Sequence, residues 1–155
     1  SGWRPDVLLA LWRGGAGAGI AVHEFFKATG WDVRHYPLKC ASYSGICGEP
    51  SDVVFTLGAE TFALIAPGEN VLVVDDVLDT GRTAATLKER IAERGAEARI
   101  ATVYRKPSPD ASRIEADYCA RDLGGDWIVF PHEIEGLAKE EILEKDPELA
   151  RLLEH

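Results

Sequence analysis

The chain has 155 residues, of which 46% are hydrophobic and 28% charged, and this composition indicates one globular domain rather than a disordered chain. Its formal net charge of −9 argues against nucleic acid as a partner, because binding to a phosphate backbone needs clustered Lys and Arg. A small phosphorylated ligand is compatible with this charge, since backbone N–H groups, a few cations and Mg²⁺ can hold one. No apolar run approaches the roughly 20 residues of a membrane helix, so no membrane partner is expected.

The cysteines Cys40, Cys47 and Cys119 are odd in number and form no CxxC pair. They indicate reduced thiols rather than a disulfide framework or a zinc site. With no signal-peptide pattern, the expected location is the cytoplasm. The sequence has no Met and reaches its first apolar run almost at once, so we expect that the native start, with an N-terminal helix, has been removed.

The first third of the chain predicts two strands around one helix. Val7–Leu11 has the continuous apolar character of a buried strand, and the glycines of segment 13–19 indicate a tight turn after it. Ile20–Thr29 has helical apolar spacing, and Gly30 stands where a helix C-cap is expected. Val33–Tyr36 is predicted as the second strand.

The middle of the chain predicts a loop and then further strands. Lys39–Pro50 is rich in small and turn-forming residues, which indicates a loop long enough to be functional. Val53–Leu57 is predicted as a strand and Thr61–Ile65 as a short helix. Val71–Val74 is the clearest buried strand of the sequence.

The next elements complete the predicted α/β pattern. Thr83–Arg94 is a strong helix that ends at Gly95, and Ile100–Tyr104 returns as a strand. Strands that alternate with helices predict a mainly parallel sheet flanked by helices. Beyond it we expect short apolar pieces amid loops, and from Ala138 an acidic helical tail broken near Pro147.

The segment Val71–Thr83, VLVVDDVLDTGRT, carries the clearest chemical signal. A parallel sheet binds ligands at the carboxyl ends of its strands, and the helix that follows offers unpaired N–H groups and a positive dipole end to a phosphate. Gly81 lets the backbone approach that phosphate closely. The adjacent Asp75 and Asp76 suit a pair of ribose hydroxyls, directly or through Mg²⁺, which prefers oxygen ligands and keeps several waters.

This segment resembles the phosphoribosyl pyrophosphate (PRPP) motif of type I phosphoribosyltransferases, with every characteristic position filled. The resemblance implies an α/β, Rossmann-like fold with a small C-terminal hood, and one domain over residues 1–155 with a core of about 5–106 and a hood and tail of about 107–155. It also implies that Asp75 and Asp76 contact the ribose and that Asp79 acts as general base near purine N7. The implied 5-phosphate contacts are Asp79, Thr80, Gly81, Arg82 and Thr83. A strand and loop whose acids are merely solvated is the alternative for this segment.

Further resemblances point to the 6-oxopurine members of that family. Arg13 and Gly14, after the first strand, match the pyrophosphate loop, although a glycine-rich turn without function is the alternative. Ser42 and Tyr43 match the Ser-Tyr pair of a flexible lid, which would keep water from an oxocarbenium-like centre. Lys106 matches the lysine that donates to O6 of the base, and lysine would disfavour the amino group of adenine.

The last matching positions lie near the C-terminus. Trp127 would stack on the purine and the Ile128 backbone would contact the base edge, with a core tryptophan as the alternative. Glu133 matches loosely a position that touches Mg²⁺. The resemblance implies PRPP and a purine base as partners, Mg²⁺ as cofactor, and a homodimer or homotetramer.

The expected activity is purine salvage, in which 5-phosphoribosyl passes from PRPP to N9 of hypoxanthine, guanine or xanthine with release of pyrophosphate. A PRPP-sensing regulatory domain without catalysis is the second hypothesis. The chain is too short for the paired domains of a PRPP synthetase. Which 6-oxopurine is preferred does not follow from side-chain identity.

Overall fold

The computed structural model describes residues 2–44, 50–106, 114–124, 128, 130, 134–135 and 137–153, with side chains except at 41–44, 50–54, 56 and 57. The chain forms two compact units, Ser1–Gly125 and Asp126–His155. The assignment of all 155 residues to one domain stays a prediction.

The first unit is built on a six-stranded sheet in the order β3-β2-β1-β4-β5-β6. All neighbouring strands are parallel except β3, which runs antiparallel to β2. This arrangement confirms the predicted α/β class with a mainly parallel sheet. The strands are β1 Val7–Trp12, β2 Arg34–Ser44, β3 Pro50–Leu57, β4 Asn70–Leu78, β5 Glu97–Arg105 and β6 Tyr118–Asp122.

Helical segments lie between β1 and β2, between β3 and β4, and between β4 and β5. In the first unit, α1 spans Gly15–Ala28, a 3₁₀ helix spans Ala59–Leu64, and α2 spans Arg82–Ala92. In the second unit, α3 spans Lys139–Lys145 and α4 spans Pro147–Leu152. The break between α3 and α4 confirms the predicted interruption near Pro147. Among the residues described, no helix has the length and apolarity needed to cross a membrane.

The two faces of the sheet have separate hydrophobic cores. Along β4, Val71 and Val73 join the cluster that contains Leu87 of α2, whereas Leu72 and Val74 join the cluster that contains Phe26 of α1. The two helices therefore cover opposite faces. Because strands buried on both faces cannot alternate polar with apolar residues, β1 and β4 read as continuous apolar runs.

Three sequence-based expectations were wrong in part. The supposed loop Lys39–Pro50 begins as strand, since Lys39–Ser42 pair with β3, which satisfies their backbone groups despite their turn-forming character. The glycine run after residue 14 is the start of α1 rather than a turn. Tyr118, expected only as part of a short apolar piece amid loops, begins strand β6, because residues 118–122 find a parallel partner in β5.

Candidate functional site

The candidate site lies where neighbouring strands of the sheet are followed by helices on opposite faces. Helix α1 follows β1 onto one face, and α2 follows β4 onto the other, so the adjacent carboxyl ends of β1 and β4 open a crevice. Such a switch point is the usual ligand site of an open α/β sheet. The pairing of β1 with β4 ends at Ala10 and Val74, and β4 continues beyond it beside β5 alone.

The two acids stand at the point where β4 leaves β1. Both are half-buried, and the Asp76 N–H donates to Oδ1 of Asp75 at 3.0 Å. The Val77 N–H donates to Oδ1 of Asp76 at 2.8 Å. These contacts hold the two carboxylates side by side at the crevice.

Burial and the neighbouring charge of Asp76 raise the pKa of Asp75 to about 7. Burial, together with the negative charge of Asp75, also raises the pKa of the Cys40 thiol to about 12. Two adjacent carboxylates repel each other, and a cation that contacts both relieves this repulsion. Their oxygen donors fit Mg²⁺, which takes one or two protein carboxylates and completes its shell with water and substrate oxygens. Among the residues described, no group of three or more His, Cys, Asp or Glu is arranged to hold a metal.

The turn between β1 and α1 packs directly against these acids. A Cβ on Gly14 would lie 2.0 Å from Oδ2 of Asp76, and one on Gly15 would lie 2.5 Å from the Val74 carbonyl oxygen. Gly15 therefore has to be glycine because its obstacle is backbone, whereas a side chain at Gly14 would have to displace the Asp76 carboxylate. The peptide bond between Trp12 and Arg13 is cis, and Arg13 is exposed beside the crevice opening. The structure thus brings Arg13 and Gly14 to the same place as Asp75 and Asp76.

The turn between β4 and α2 forms a cradle. Gly81 is the N-cap of α2 in the left-handed region, with φ 73° and no side-chain hydrogen bond as cap. Gly81 itself offers no side chain to the first N–H groups of the helix, an arrangement that suits the binding of an anion there. A cavity of about 100 Å³ lies here. Its lining includes Asp75, Asp79, Thr80, Gly81, Arg82 and Thr83.

Lys106 joins the same site from β5. Its N–H donates to the Leu78 carbonyl at 3.0 Å, which fixes the chain where it leaves the strand. Its Nζ lies 4.0 Å from Oδ2 of Asp79, with 23% of the lysine and 61% of the aspartate side chain exposed. Lys106 and Asp79, for which the sequence predicts a base-reading lysine and a general base, are therefore neighbours.

The remaining predicted site residues lie outside the described part of the chain or in the second unit. Ser42 and Tyr43 have their backbone in β2, and their side chains lie outside the described part. Trp127 and Glu133 lie outside the described residues altogether, and Ile128 is half-buried in the second unit. Their roles stay predictions.

Sequence reasoning missed Thr102. This residue is 6% exposed, and its Oγ1 lies 3.1 Å from the Asp76 carbonyl oxygen and 2.8 Å from that of Tyr104. The available signal was a polar residue near the carboxyl end of the apolar strand RIATVY, one strand away from the paired acids.

Comparison with known proteins places this geometry in a family. Residues 48–137 match the model of the phosphoribosyl transferase domain. A hypoxanthine-guanine phosphoribosyltransferase of Lactococcus lactis is 33% identical over 92 residues, which are 59% of this chain and 49% of that protein. A xanthine-guanine phosphoribosyltransferase of Idiomarina loihiensis is 45% identical over 80 residues, which are 48% of this chain and 45% of that protein. The matched stretch is therefore about half the length of these relatives.

A solved structure has the same fold over a larger span. The purine phosphoribosyltransferase from Pyrococcus horikoshii superposes with a TM-score of 0.66 at 26% identity, covering 86% of this chain and 80% of that one. The family model alone matches more than half of the sequence, and its span contains both Asp75–Thr83 and Lys106. This chain belongs to the phosphoribosyl transferase domain family.

Proposed function

We propose that the protein transfers the 5-phosphoribosyl group of PRPP to N9 of a 6-oxopurine and releases pyrophosphate. One observation carries the proposal: Asp75 of the acid pair, the start of α2, and Asp79, whose carboxylate lies 4.0 Å from Lys106 Nζ, all border one cavity. The acid pair and the start of α2 suit a ribose 5-phosphate, and the lysine suits a carbonyl-bearing base. The names of the two curated relatives, which span hypoxanthine, guanine and xanthine, support the same class of base.

In this proposal the site divides its tasks by position. Asp75 and Asp76 accept hydrogen bonds from the ribose hydroxyls, and the backbone of segment 79–83 surrounds the 5-phosphate. Arg13 and Gly14 lie on the other side of the acids, where the pyrophosphate would leave. Arg13 would offset the charge that develops on the leaving group.

The proton and the base are handled by the second half of the site. Asp79 is proposed to accept the proton from purine N7, and its exposed carboxylate can reach a ligand in the crevice. Lys106 would donate to O6, which adenine lacks. Trp127 would stack on the purine and Ile128 would offer its backbone, while Ser42 and Tyr43 would close over the centre.

Asp75 and Asp76 would hold Mg²⁺, directly or through water or the ribose, with Glu133 as a weaker candidate. When bound, Mg²⁺ would supply positive charge against the departing pyrophosphate. The carboxylates by themselves orient the ribose. A cytoplasmic homodimer or homotetramer is proposed as the working form, and sedimentation would test the assembly.

The direct test follows absorbance while the protein is incubated with PRPP, Mg²⁺ and hypoxanthine, guanine, xanthine or adenine in turn. Nucleotide formed from a 6-oxopurine, with little from adenine, is the expected result. The same panel omitting Mg²⁺ tests the cofactor. If PRPP binds and no base is converted, the protein is a PRPP-sensing domain instead.

A further inference from the structure

Thr102 is a buried residue on β5, and its hydroxyl contacts the backbone of the acid pair on the neighbouring strand β4. It lies on β5 with 6% of its surface exposed, and the strand register pairs it with Asp75. Its Oγ1 lies 3.1 Å from the carbonyl oxygen of Asp76. Because a hydroxyl has one hydrogen, it can donate to this carbonyl or to that of Tyr104 at 2.8 Å, and it lies against both.

We propose that Thr102 is a positioning residue that sets the orientation of the Asp75–Asp76 pair for the ribose of PRPP. The inference rests on the proposed function for what the pair binds. Thr102 would not touch the substrate. Its effect would pass through the peptide group between Asp76 and Val77.

That peptide group is held at both ends. Its carbonyl oxygen is the one that Thr102 approaches, and its N–H donates to Oδ1 of Asp76 at 2.8 Å. The peptide plane therefore determines where the Asp76 carboxylate points. A donor on the carbonyl also polarises the peptide and strengthens the N–H as a donor to the carboxylate.

The surroundings leave Asp76 little freedom to compensate. The Asp76 carboxylate packs so closely against Gly14 that a Cβ there would lie 2.0 Å from Oδ2. Beyond Val74, β4 is no longer paired with β1, so support for this peptide comes from the β5 side. Small rotations of the peptide would thus move Asp76 relative to the ribose.

The test compares three variants. Thr102→Val removes the hydroxyl and keeps the shape, Thr102→Ser restores it, and Thr61→Val removes a different buried threonine hydroxyl, also at a residue 6% exposed. Steady-state kinetics give KM for PRPP and for the base separately. Amide hydrogen exchange of Val77 reports the peptide without any ligand.

We expect Thr102→Val to raise KM for PRPP by about two- to tenfold, the worth of one hydrogen bond, while KM for the base is unchanged. Thr102→Ser should return KM for PRPP to the parent value, and Thr61→Val should leave it there. The Val77 amide should exchange faster in Thr102→Val alone.

Three results would overturn the inference: an unchanged KM for PRPP in Thr102→Val, no recovery in Thr102→Ser, or a rise in the base KM instead. The last would assign the hydroxyl to Tyr104 and the Lys106 side. If the parent protein forms no nucleotide, the proposed function fails on its own. The Val77 exchange rate then decides the positioning role, and parent-like exchange in Thr102→Val rejects it.

Discussion

The turns after β1 and β4 each place a glycine at the N-cap of a helix, and the two glycines do different things. Each leads into a helix whose N-cap is glycine without a side-chain cap. Gly14 has φ −56° and ψ −47°, an ordinary helical conformation, so any residue suits its backbone. Gly81 has φ 73°, which a residue with a Cβ adopts only at a cost.

The first turn is constrained by the space available beside Asp76, and the second by the backbone conformation that it has to adopt. Gly14 has to be small because the carboxylate of Asp76 fills the space where its Cβ would be. Gly81 has to bend the chain so that the start of α2 faces the crevice, and its own surroundings are looser, with the Ile114 carbonyl oxygen 3.2 Å from a Cβ. Substitutions in the two turns should therefore fail differently.

The largest effect is expected from Asp79→Asn in the cradle. The amide cannot accept a proton, so kcat should fall by about 10²–10⁴-fold while PRPP still binds. Steady-state assays of nucleotide formation measure kcat, and a separate titration measures PRPP binding. Asp122→Asn is a control, because Asp122 is an exposed carboxylate at the neighbouring strand end, 2.6 Å from Arg105. Turnover that is unchanged in Asp79→Asn would reject its role as base.

Gly14→Ala should disturb the close packing between the turn after β1 and Asp76. Its Cβ has to displace Asp76, so we expect a loss of about 1–3 kcal/mol in the free energy of unfolding, as for overpacking, and a large rise in KM for PRPP. Denaturant unfolding and PRPP titration are the measurements. Gly17→Ala is the matched control, since nothing lies within 4 Å of its Cβ and alanine favours a helix. Parent-like PRPP binding in Gly14→Ala would show that the contact with Asp76 is unimportant.

Gly81→Ala should cost about 1–2 kcal/mol of unfolding free energy through its left-handed backbone. Gly30→Ala separates this cost from function, because Gly30 has φ 78° and nothing lies within 4 Å of its Cβ. Both variants should lower the unfolding midpoint, and Gly81→Ala alone should weaken PRPP binding. Equal PRPP affinity in the two variants would contradict the proposal that the turn at Gly81 contributes to PRPP binding.

The smallest effect concerns pH. The folded state raises the pKa of Asp75 from 3.8 to about 7, so between these values it binds more protons than the unfolded state. The free energy of unfolding should therefore fall as pH rises across that window, by about 1 kcal/mol or more, and level off above it. Urea unfolding at pH 5 and pH 8 measures this. Asp75→Asn should remove that part of the difference, and an identical pH profile in the variant would show that another group is responsible.

Much of the sheet could be predicted because its strands are apolar on both faces. Val7–Leu11 is observed as β1 without its last residue, and Val71–Val74 as the first half of β4. The glycine-rich start of α1 was missed because its low helix propensity is overridden by packing: a Cβ on Gly19 would lie 2.5 Å from the Cβ of Ala10. No local pattern reports such a contact.

The site could be predicted in one part and not in another. The cradle follows β4 directly, so its residues are contiguous and their order is informative. Two contacts in the site depend on which strands are adjacent in the sheet: Lys106 with Asp79, and Gly14 with Asp76. The periodicity of the sequence does not specify that order. Thr102 was missed for the same reason, since its partner lies on another strand.

The contact between Gly14 and Asp76 has a consequence for folding. The two residues are far apart in the chain, and they meet only when β1 and β4, the central pair of the sheet, have come together. Such non-local pairing forms slowly, because the long intervening loop has to close first. A nascent chain that ends before β4 has no crevice to offer. Since a ligand of this crevice binds the folded state alone, PRPP should raise the melting temperature in proportion to the logarithm of its concentration.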